Sequence, residues 1–438
     1  MDNQVFTLIN IAVMTVVMWI TPLQFVPFMI WLERKGSAII QDRIGPNRAE
    51  IFGFRLFGMV HNFSDVVKLL NKENITPTHA NRFFYTMAPF WSMTVSLLPL
   101  LIIPLAAPID IFGHTVRFQA ADFSVGILYI LSITSMGVFA VILAGWASNN
   151  KFSLMGGIRS SAQMISYELS MGLAIVALLM VYQDAQVSSM VETQGRWLTV
   201  FGHELPLPNW GIFLQPVAFV LFLVASFAET NRNPFDLAEG ESELVAGYHI
   251  EYSSVKFALF FMAEYSNMVV ASFVIATLFL GGYQVPYFST DVLAAHPQEV
   301  LIAVCILGFI KCILLGYLIG LKARQQETLF KKGVAKWEPF LFSGLFYGLA
   351  VVCLAGLFYA FNGSFAPWFG QVLTALLQMG CLLAKVLFFC WLFVWVRWTL
   401  PRFRYDQLMH FAWTFLFPCA LVNLLLTALM VALFPNQK

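Results

Sequence analysis

Carboxyl groups lie inside segments that are otherwise apolar, and they are the first candidates for chemistry. Glu168 lies within the apolar run 163–182, and Glu264 lies beside Tyr265 within the run 253–281. A charge at the centre of a bilayer is unfavourable by about 3 kcal/mol on insertion scales, so such residues usually mark a proton or substrate path. Because loss of water disfavours the carboxylate, we expect Glu168 to bind and release a proton near neutral pH. The alternative is a neutral acid that is hydrogen-bonded between helices.

The stretch 228–252 is the most unusual part of the chain, because it gathers six acidic residues around one arginine, Arg232. Like charges this close repel one another, so some of these carboxyls are expected to titrate upward as a coupled set. Such a set could pass protons or respond to a nearby reaction. The alternatives are a solvated acidic loop and a divalent-cation site of oxygen ligands, although the EF-hand spacing is absent. The six acids are Glu229, Asp236, Glu239, Glu241, Glu243 and Glu251.

Metal, nucleotide and acyl-transfer chemistry have no support in the motifs. The six cysteines lie in apolar runs without a CxxC pair, so neither an iron–sulfur cluster nor a zinc site is indicated. No HExxH, Walker A, GxGxxG or nucleophile-elbow pattern occurs. We therefore expect no metal and no redox cofactor on this chain. With a net charge of +1, it is not expected to bind nucleic acid.

The composition assigns these polar residues to a membrane protein. Hydrophobic residues make up 59% of the 438 residues and charged residues only 11%, against about a quarter charged in soluble domains. A membrane-spanning helix needs about 20 apolar residues, and ten stretches qualify, the fifth of them short and marked by Pro216. The sequence thus predicts an all-α polytopic membrane protein, 1–438, without a soluble domain. The stretches are roughly 5–31, 83–105, 123–146, 163–182, 211–227, 253–281, 300–321, 340–361, 372–395 and 411–434.

Charge in the loops predicts the orientation. The connections after the odd-numbered stretches carry nineteen of the 25 lysines and arginines, and the opposite side carries three. By the positive-inside rule the loops 33–82 and 228–252 face the cytoplasm, and both termini face the periplasmic side. Lys311 lies inside the seventh stretch, where it is expected either to snorkel or to pair helices.

The first of these loops, 33–82, contains an amphipathic pattern. Apolar residues recur there at helical spacing, and the opposite face is charged, so we expect a helix that lies in the membrane interface or over a cavity. A simple membrane-surface anchor is the alternative. The apolar residues are Leu56, Val60, Phe63, Val67 and Leu70, and the charged ones are Asp65, Lys68 and Lys72.

Together these inner segments resemble the H-type membrane subunit of proton-pumping NADH–quinone oxidoreductase, respiratory complex I. The resemblance runs through Glu33-Arg34-Lys35 and the segments 41–48, 144–168, 228–267 and 385–409. Its most specific part reads Glu-Thr-Asn-Arg-Asn-Pro-Phe-Asp-Leu from Glu229. The resemblance implies a position at the junction of the membrane arm and a peripheral arm, whose subunits carry the iron–sulfur clusters. It also implies quinone as substrate and small membrane subunits as neighbours. The length of the chain and its extra hairpin, 300–361, are unlike a mitochondrial form, so we expect a bacterial plasma membrane as its location.

Site residues follow from the resemblance position by position. Those implied to lie at the quinone chamber or its charged surroundings are Glu33, Arg34, Asp65, Lys68, Arg159 and Arg232, with Arg397 among the charged positions nearby. Those implied to couple quinone chemistry to proton movement are Glu168, Glu229, Asp236, Glu239, Glu241, Glu243 and Glu264.

The chain departs from the family pattern at several points. The usual family member has eight spans, and 300–361 reads as an inserted helical hairpin. His61-Asn62 stands where Gln-Pro is usual, and Thr414 stands where a lysine is common. Three alternatives remain: the related membrane subunit of an energy-converting hydrogenase, an independent ion or solute transporter, and a passive anchor for the peripheral arm.

Overall fold

The structure, a computed structural model, is a bundle of long helices that confirms the all-α polytopic prediction. It describes residues 3–111, 113–200, 203–236, 247–329, 338–362 and 367–433. The helices are α1 (Asn3–Ile40), α2 (Val60–Asn71), α3 (Arg82–Leu97), α4 (Gly126–Ala147), α5 (Lys151–Tyr182), α6 (Val187–Gln194), α7 (Gly211–Leu214), α8 (Pro216–Glu229), α9 (Ser254–Phe279), α10 (Thr290–Ala295), α11 (Pro297–Leu329), α12 (Glu338–Asn362), α13 (Pro367–Thr399), α14 (Tyr405–His410) and α15 (Phe417–Leu433).

Short elements fill the connections. Turns of 3₁₀ helix occur at Leu56–Gly58, Leu98–Ile102 and Gly247–His249, and a π-helical segment, Phe411–Leu416, joins α14 to α15. Two antiparallel hairpins lie outside the spans. They are β1 (Ile109–Ile111) with β2 (His114–Val116), and β3 (Trp197–Val200) with β4 (His203–Pro208).

Within the described residues, nine helical stretches are long and apolar enough to cross a bilayer. The predicted fifth crossing is shorter, because the helix breaks at Gln215, before Pro216. Proline supplies no backbone N–H and begins α8 at its first position, where that donor is not needed. The remaining helix, Pro216–Glu229, has 14 residues.

Contacts between the connections show that α8 nevertheless runs from one end of the bundle to the other. The connection between α5 and α7 lies at the end of the bundle that also holds the α3–α4 loop, because the Ile127 N–H at the start of α4 donates to the Ala185 carbonyl at 3.1 Å. The turn after α8 lies at the opposite end of the bundle, beside the connection between α13 and α14, because the Phe403 N–H donates to the Pro234 carbonyl at 3.1 Å. Gln215 donates to Thr427 near the end of α15, and Asn10 of α1 donates to Arg117. The start of α1 and the end of α15 therefore lie at the same end of the bundle; its periplasmic assignment stays a prediction.

The core is centred on α9, the most buried of the nine long helices. Its Phe273 and Phe279 are fully buried, and α5 and α13 contribute Tyr167, Phe389 and Phe393 to the same cluster. This helix therefore fixes the positions of the polar residues that α5, α8 and α13 carry.

The predicted hairpin 300–361 is formed by α11 and α12, and residues 330–337 between them lie outside the described part. Small residues bring the two helices together, with Gly308 against Cys353 and Gly356 against Cys305. Close approach at small residues is the usual way in which helices associate in a membrane. At the base of the hairpin, Glu338 accepts hydrogen bonds from the backbone of the first loop, at Arg55 (3.1 Å) and Phe57 (3.3 Å).

The predicted amphipathic helix of the first loop begins at Val60, as α2, with Leu56 in the preceding 3₁₀ turn. The two residues that depart from the family pattern hold this helix in place. His61 Nε2 accepts hydrogen bonds from the N–H groups of residues 48 and 49, both at 3.1 Å. Asn62 donates to the carbonyl of Pro27 in α1 at 2.6 Å. The apolar side chains Phe63, Val67 and Leu70 are exposed, as expected of a helix in an interface.

Candidate functional site

A buried ionic cluster lies where α1, α9, α13 and the turn after α8 meet. The Glu33 carboxylate forms an ion pair with Arg397 and lies 3.6 Å from the guanidinium of Arg232. The Tyr265 hydroxyl donates a hydrogen bond of 2.7 Å to the same carboxylate. Only 6% of the Arg232 side chain and 16% of the Glu33 side chain are exposed. Removal of one member would therefore leave an uncompensated buried charge.

Arg232 retains hydrogen-bonding capacity inside this cluster. Its guanidinium stacks on the Tyr265 ring, 4.1 Å from the centroid, and its Nε and Nη2 atoms are buried without a hydrogen-bond partner in the described part of the chain. Burial by itself disfavours the charge, but Tyr265, Glu33 and Glu264 outweigh that effect and raise the pKa of Arg232. The residue therefore stays cationic and has donors free for a further group.

The turn that carries Arg232 is held against the end of α13. Asp236 forms an ion pair of 2.7 Å with Arg402, and the Asn233 amide donates to the carbonyls of Arg397 (3.1 Å) and Leu400 (3.0 Å). The local charge pattern predicts Asp236 to be one of several mutually repelling carboxyls. The fold instead compensates its charge with an arginine from a distant part of the sequence.

Helix α5 holds the same turn from the other side. The fully buried Gln163 donates to the carbonyls of Ala228 and Phe235, both at 2.7 Å. Ser160 donates to the side chain of Asn231 at 3.2 Å. The turn therefore has little freedom to move as a unit.

The chain that follows the acidic loop is fixed to a different set of elements. Asn150, the N-cap of α5, donates 2.6 Å to the Glu251 carboxylate, and Tyr85 donates 2.6 Å to the Glu251 carbonyl. The Tyr252 ring stacks on Tyr85 at 4.2 Å, and burial raises the pKa of Tyr252, so that its hydroxyl stays neutral. Ser153 donates 2.7 Å to the carbonyl of Tyr248. Glu239, Glu241 and Glu243 lie between the two fixed ends, outside the described residues.

Two of the predicted carboxyls line one internal cavity. Glu229 at the end of α8 and Glu264 in α9 face a cavity of about 70 Å³. A bound water needs one probe-sized space and two to four polar partners, so this volume accommodates a few waters. Polar groups are available, since Thr134 lines the cavity together with Glu229, and the Tyr248 hydroxyl lies 3.4 Å from Glu264. Other polar lining residues are Ser92, Ser96, Ser226, Thr230, Asn231 and Asn267.

The third predicted carboxyl, Glu168, lies beside this cavity. It accepts a hydrogen bond from Ser135 of α4 and interacts electrostatically with Glu229. On its far side it lines an open pocket next to Leu169 and Phe417, where α5 meets α15. The structure therefore places Glu264, Glu229 and Glu168 in one series that begins near Arg232.

The other predicted residues lie closer to the surface. Arg34 pairs with Asp65 of α2 at 2.6 Å, with about two fifths of each side chain exposed, and Lys68 is exposed on α2. The guanidinium of Arg159 lies 5.7 Å from the centre of the Tyr405 ring. None of these four contacts Glu33 directly through a described hydrogen bond or ion pair.

Sequence reasoning missed several residues that shape the site. No local pattern indicates the partners of Arg402 and Tyr265. Lys385 of α13 lies within an apolar run, and nothing in the sequence indicates what it binds. Its ammonium group donates to three carbonyls beyond α9, those of Leu280, Gly282 and Gln284, at 2.7 to 2.8 Å. It thus caps the C-terminal end of α9, the helix that carries Glu264 and Tyr265.

Among the described residues, no group of three or more His, Cys, Asp or Glu side chains is arranged to hold an ion.

The fold and the site together define a class of protein. It is a polytopic membrane protein in which a buried ionic cluster adjoins a series of carboxyls and a polar cavity.

Comparison with known proteins identifies the family. A family model described as NADH dehydrogenase matches residues 11–329 and 335–428, which include both helices of the hairpin. The NADH-quinone oxidoreductase H subunit of Bdellovibrio bacteriovorus is 38% identical over 446 residues, covering 98% of each chain. The H subunit 1 of the Solibacter usitatus enzyme is 41% identical over 409 residues, 92% of each chain. NADH-quinone oxidoreductase subunit 8 of Rhodothermus marinus is 41% identical over 406 residues, 93% of this chain and 92% of that one.

The chain belongs to the family of the H-type membrane subunit of NADH–quinone oxidoreductase, which confirms the resemblance read from its loops. That 300–361 is an insertion relative to an eight-span form stays a prediction.

Glu33 and its neighbour Arg34 allow a matched test of the ionic cluster. Glu33→Gln leaves Arg232 and Arg397 close together without their shared carboxylate, and loss of one partner of a buried pair destabilises by about 3–5 kcal/mol. Arg34→Gln removes a half-exposed pair, which contributes about 0–1 kcal/mol. We expect a marked fall in the thermal midpoint of the purified assembly for Glu33→Gln and little change for Arg34→Gln. Equal midpoints would show that the cluster is not a stabilising element.

Proposed function

We propose that the chain is the membrane subunit of a proton-pumping NADH–quinone oxidoreductase that forms much of the quinone chamber and couples quinone reduction to proton movement. The relatives' names supply the enzyme class. The observation that carries the coupling role is the series of ionisable groups from the Glu33–Arg232–Arg397 cluster through Glu264 and Glu229 to Glu168.

Quinone enters from the bilayer between α1 and α2 in this proposal. The exposed apolar face of α2 supports that route, and Arg34, Asp65, Lys68 and Arg159 form its charged border. Most of the contact with such a ligand is apolar, with a few polar groups that fix its orientation. Arg232 is the best candidate for such a group, because two of its buried nitrogens remain available.

Electron arrival would act on the carboxyls through the electrostatic field. A partner subunit of the peripheral arm supplies two electrons from an iron–sulfur centre, and the reduced quinone then requires protons. New negative charge near Arg232 weakens its hold on Glu33 and Glu264. One unit of pKa shift corresponds to about 1.4 kcal/mol, so a modest change in field moves a proton between neighbouring carboxyls. The cavity between Glu264 and Glu229 provides space for water to carry that proton.

The remaining assignments follow from the same proposal. The partners are peripheral-arm subunits with iron–sulfur clusters and small neighbouring membrane subunits, and the location is a bacterial plasma membrane with the basic loops in the cytoplasm. Glu239, Glu241 and Glu243 complete the acidic set. The first loop 33–82, the acidic loop 228–252 and the hairpin 300–361 form parts of one membrane domain.

Three alternative functions predict different activities. An energy-converting hydrogenase subunit predicts hydrogen evolution in place of quinone reduction, although the family match favours the quinone enzyme. A transporter predicts solute or ion flux by the purified chain alone in liposomes. A passive anchor predicts normal pumping after Glu241→Gln combined with Glu243→Gln.

Glu229→Gln and Glu168→Gln test the coupling series. Each replacement keeps the shape and removes the exchangeable proton, so we expect coupled quinone reduction in membranes to fall about 10-fold or more, as when a general acid–base group is lost. The assembly should stay intact on a native gel. Glu192→Gln, at an exposed carboxyl of α6, is the control and should retain the parental rate. Parental rates for both test variants, with verified assembly, would remove these carboxyls from the path.

Arg232→Lys tests the quinone contact. Lysine keeps the positive charge but lacks the planar fork of donors, so we expect a higher KM for quinone, with a smaller change in kcat. Arg402→Lys is the matched control, because Arg402 pairs with Asp236 and has no unpartnered buried nitrogen in the described residues. A KM in Arg232→Lys no higher than that of the parent would exclude Arg232 from quinone binding.

A further inference from the structure

Lys311 is a charged residue in the middle of a membrane span. It lies in α11, within the candidate span Pro297–Leu321, and its side chain is exposed. It makes no hydrogen bond, ion pair or aromatic contact with the described residues. A lysine at this depth is unfavourable in lipid, so an unpartnered position requires an explanation.

Snorkelling does not bring this ammonium group to the membrane surface. At 1.5 Å per residue, Lys311 lies about 15 Å from Leu321 and about 21 Å from Pro297. An extended lysine stem reaches about 6 Å, which is less than half of the shorter distance. The Cα–Cβ bond also tilts toward the N-terminal end of the helix, which is the more distant one.

The residues around Lys311 form a heptad seam. Exposed apolar side chains precede and follow it at alternating intervals of three and four residues, the spacing by which one helix packs along another. A single lysine at such a position is a known means of fixing register and partner. The seam consists of Val304, Leu307, Lys311, Leu314, Leu318 and Leu321.

The seam is separate from the face that closes the hairpin. Helix α11 packs against α12 through Cys305, Gly308 and Gly316, which lie on another side of the helix. Only 11% of the α11 span is buried within the chain, so the seam faces outward.

We propose that this seam binds a transmembrane helix of a partner subunit that carries an aspartate or glutamate at the depth of Lys311. A carboxylate there would compensate the lysine, and the leucines on either side would pack against the partner's own apolar seam. A second copy of this chain would place lysine opposite lysine, and an anionic lipid headgroup does not reach this depth. The proposal is independent of the quinone site.

Site-specific photo-cross-linking in the intact assembly, in its native membrane, tests the surface. Leu314→p-benzoylphenylalanine places the probe on the seam. Ile313→p-benzoylphenylalanine places it at the same depth, about 100° around the helix, as the control. We expect Leu314 to yield one protein product whose partner peptide is a membrane helix with a carboxyl residue, and Ile313 to yield lipid products only. Lipid products alone at Leu314, or a product with a second copy of this chain, would overturn the proposal.

Charge exchange tests the chemistry of the partner. Lys311→Glu should lose the cross-link at Leu314, and replacement of the partner's carboxyl residue by lysine should restore it. Lys311→Arg, which keeps the charge, should retain it. Retention of the cross-link in Lys311→Glu would show that the lysine has no role in binding. The assembled Lys311 variants should retain quinone reductase activity, because quinone chemistry does not require this surface. The cross-linking test is therefore independent of the proposed function.

Discussion

The Glu33 carboxylate is the interaction on which the arrangement of this molecule depends. Buried charges must be paired, and Glu33 is paired with Arg397 and lies beside Arg232, with a hydrogen bond from Tyr265. These four residues come from widely separated parts of the sequence, so one requirement for charge compensation brings four elements to a common point. The turn after α8 then has only one place to lie, and Gln163 and the Asp236–Arg402 pair hold it there.

The same compensation connects the cluster to the membrane interior. Interactions between charges are stronger where water is excluded. In the proposed mechanism, a change of charge beside Arg232 therefore acts on Glu264, which interacts with it electrostatically, and on Glu229 across the polar cavity. Glu168 continues the series toward α15. Rigid attachment of both ends of the acidic loop keeps these distances constant, which favours a response by protonation at the described carboxyls over displacement of the helices that carry them.

The sequence alone predicts the parts of this site that are expressed locally. Glu168 and Glu264 stand out because they interrupt apolar helices, and Glu229 because it opens an acidic stretch. The partners of these residues are not local. Arg402 lies 166 positions from Asp236. A count of charges along 228–252 therefore misses this arginine, which only the fold brings to the acidic segment. The break at Gln215 was indicated by Pro216, whereas the two small β-hairpins had no predicted counterpart, since their connections show no sustained alternation.

Redox-triggered infrared difference spectroscopy of the intact assembly tests the central claim most directly. The claim is that buried carboxyls next to the Arg232 cluster exchange protons when quinone is reduced. It predicts a carbonyl-stretch signal of a protonated carboxyl that changes on reduction, shifts in heavy water, and disappears in the glutamine variant at position 229. A difference spectrum without any carboxyl signal, in an assembly that reduces quinone at the normal rate, would contradict it.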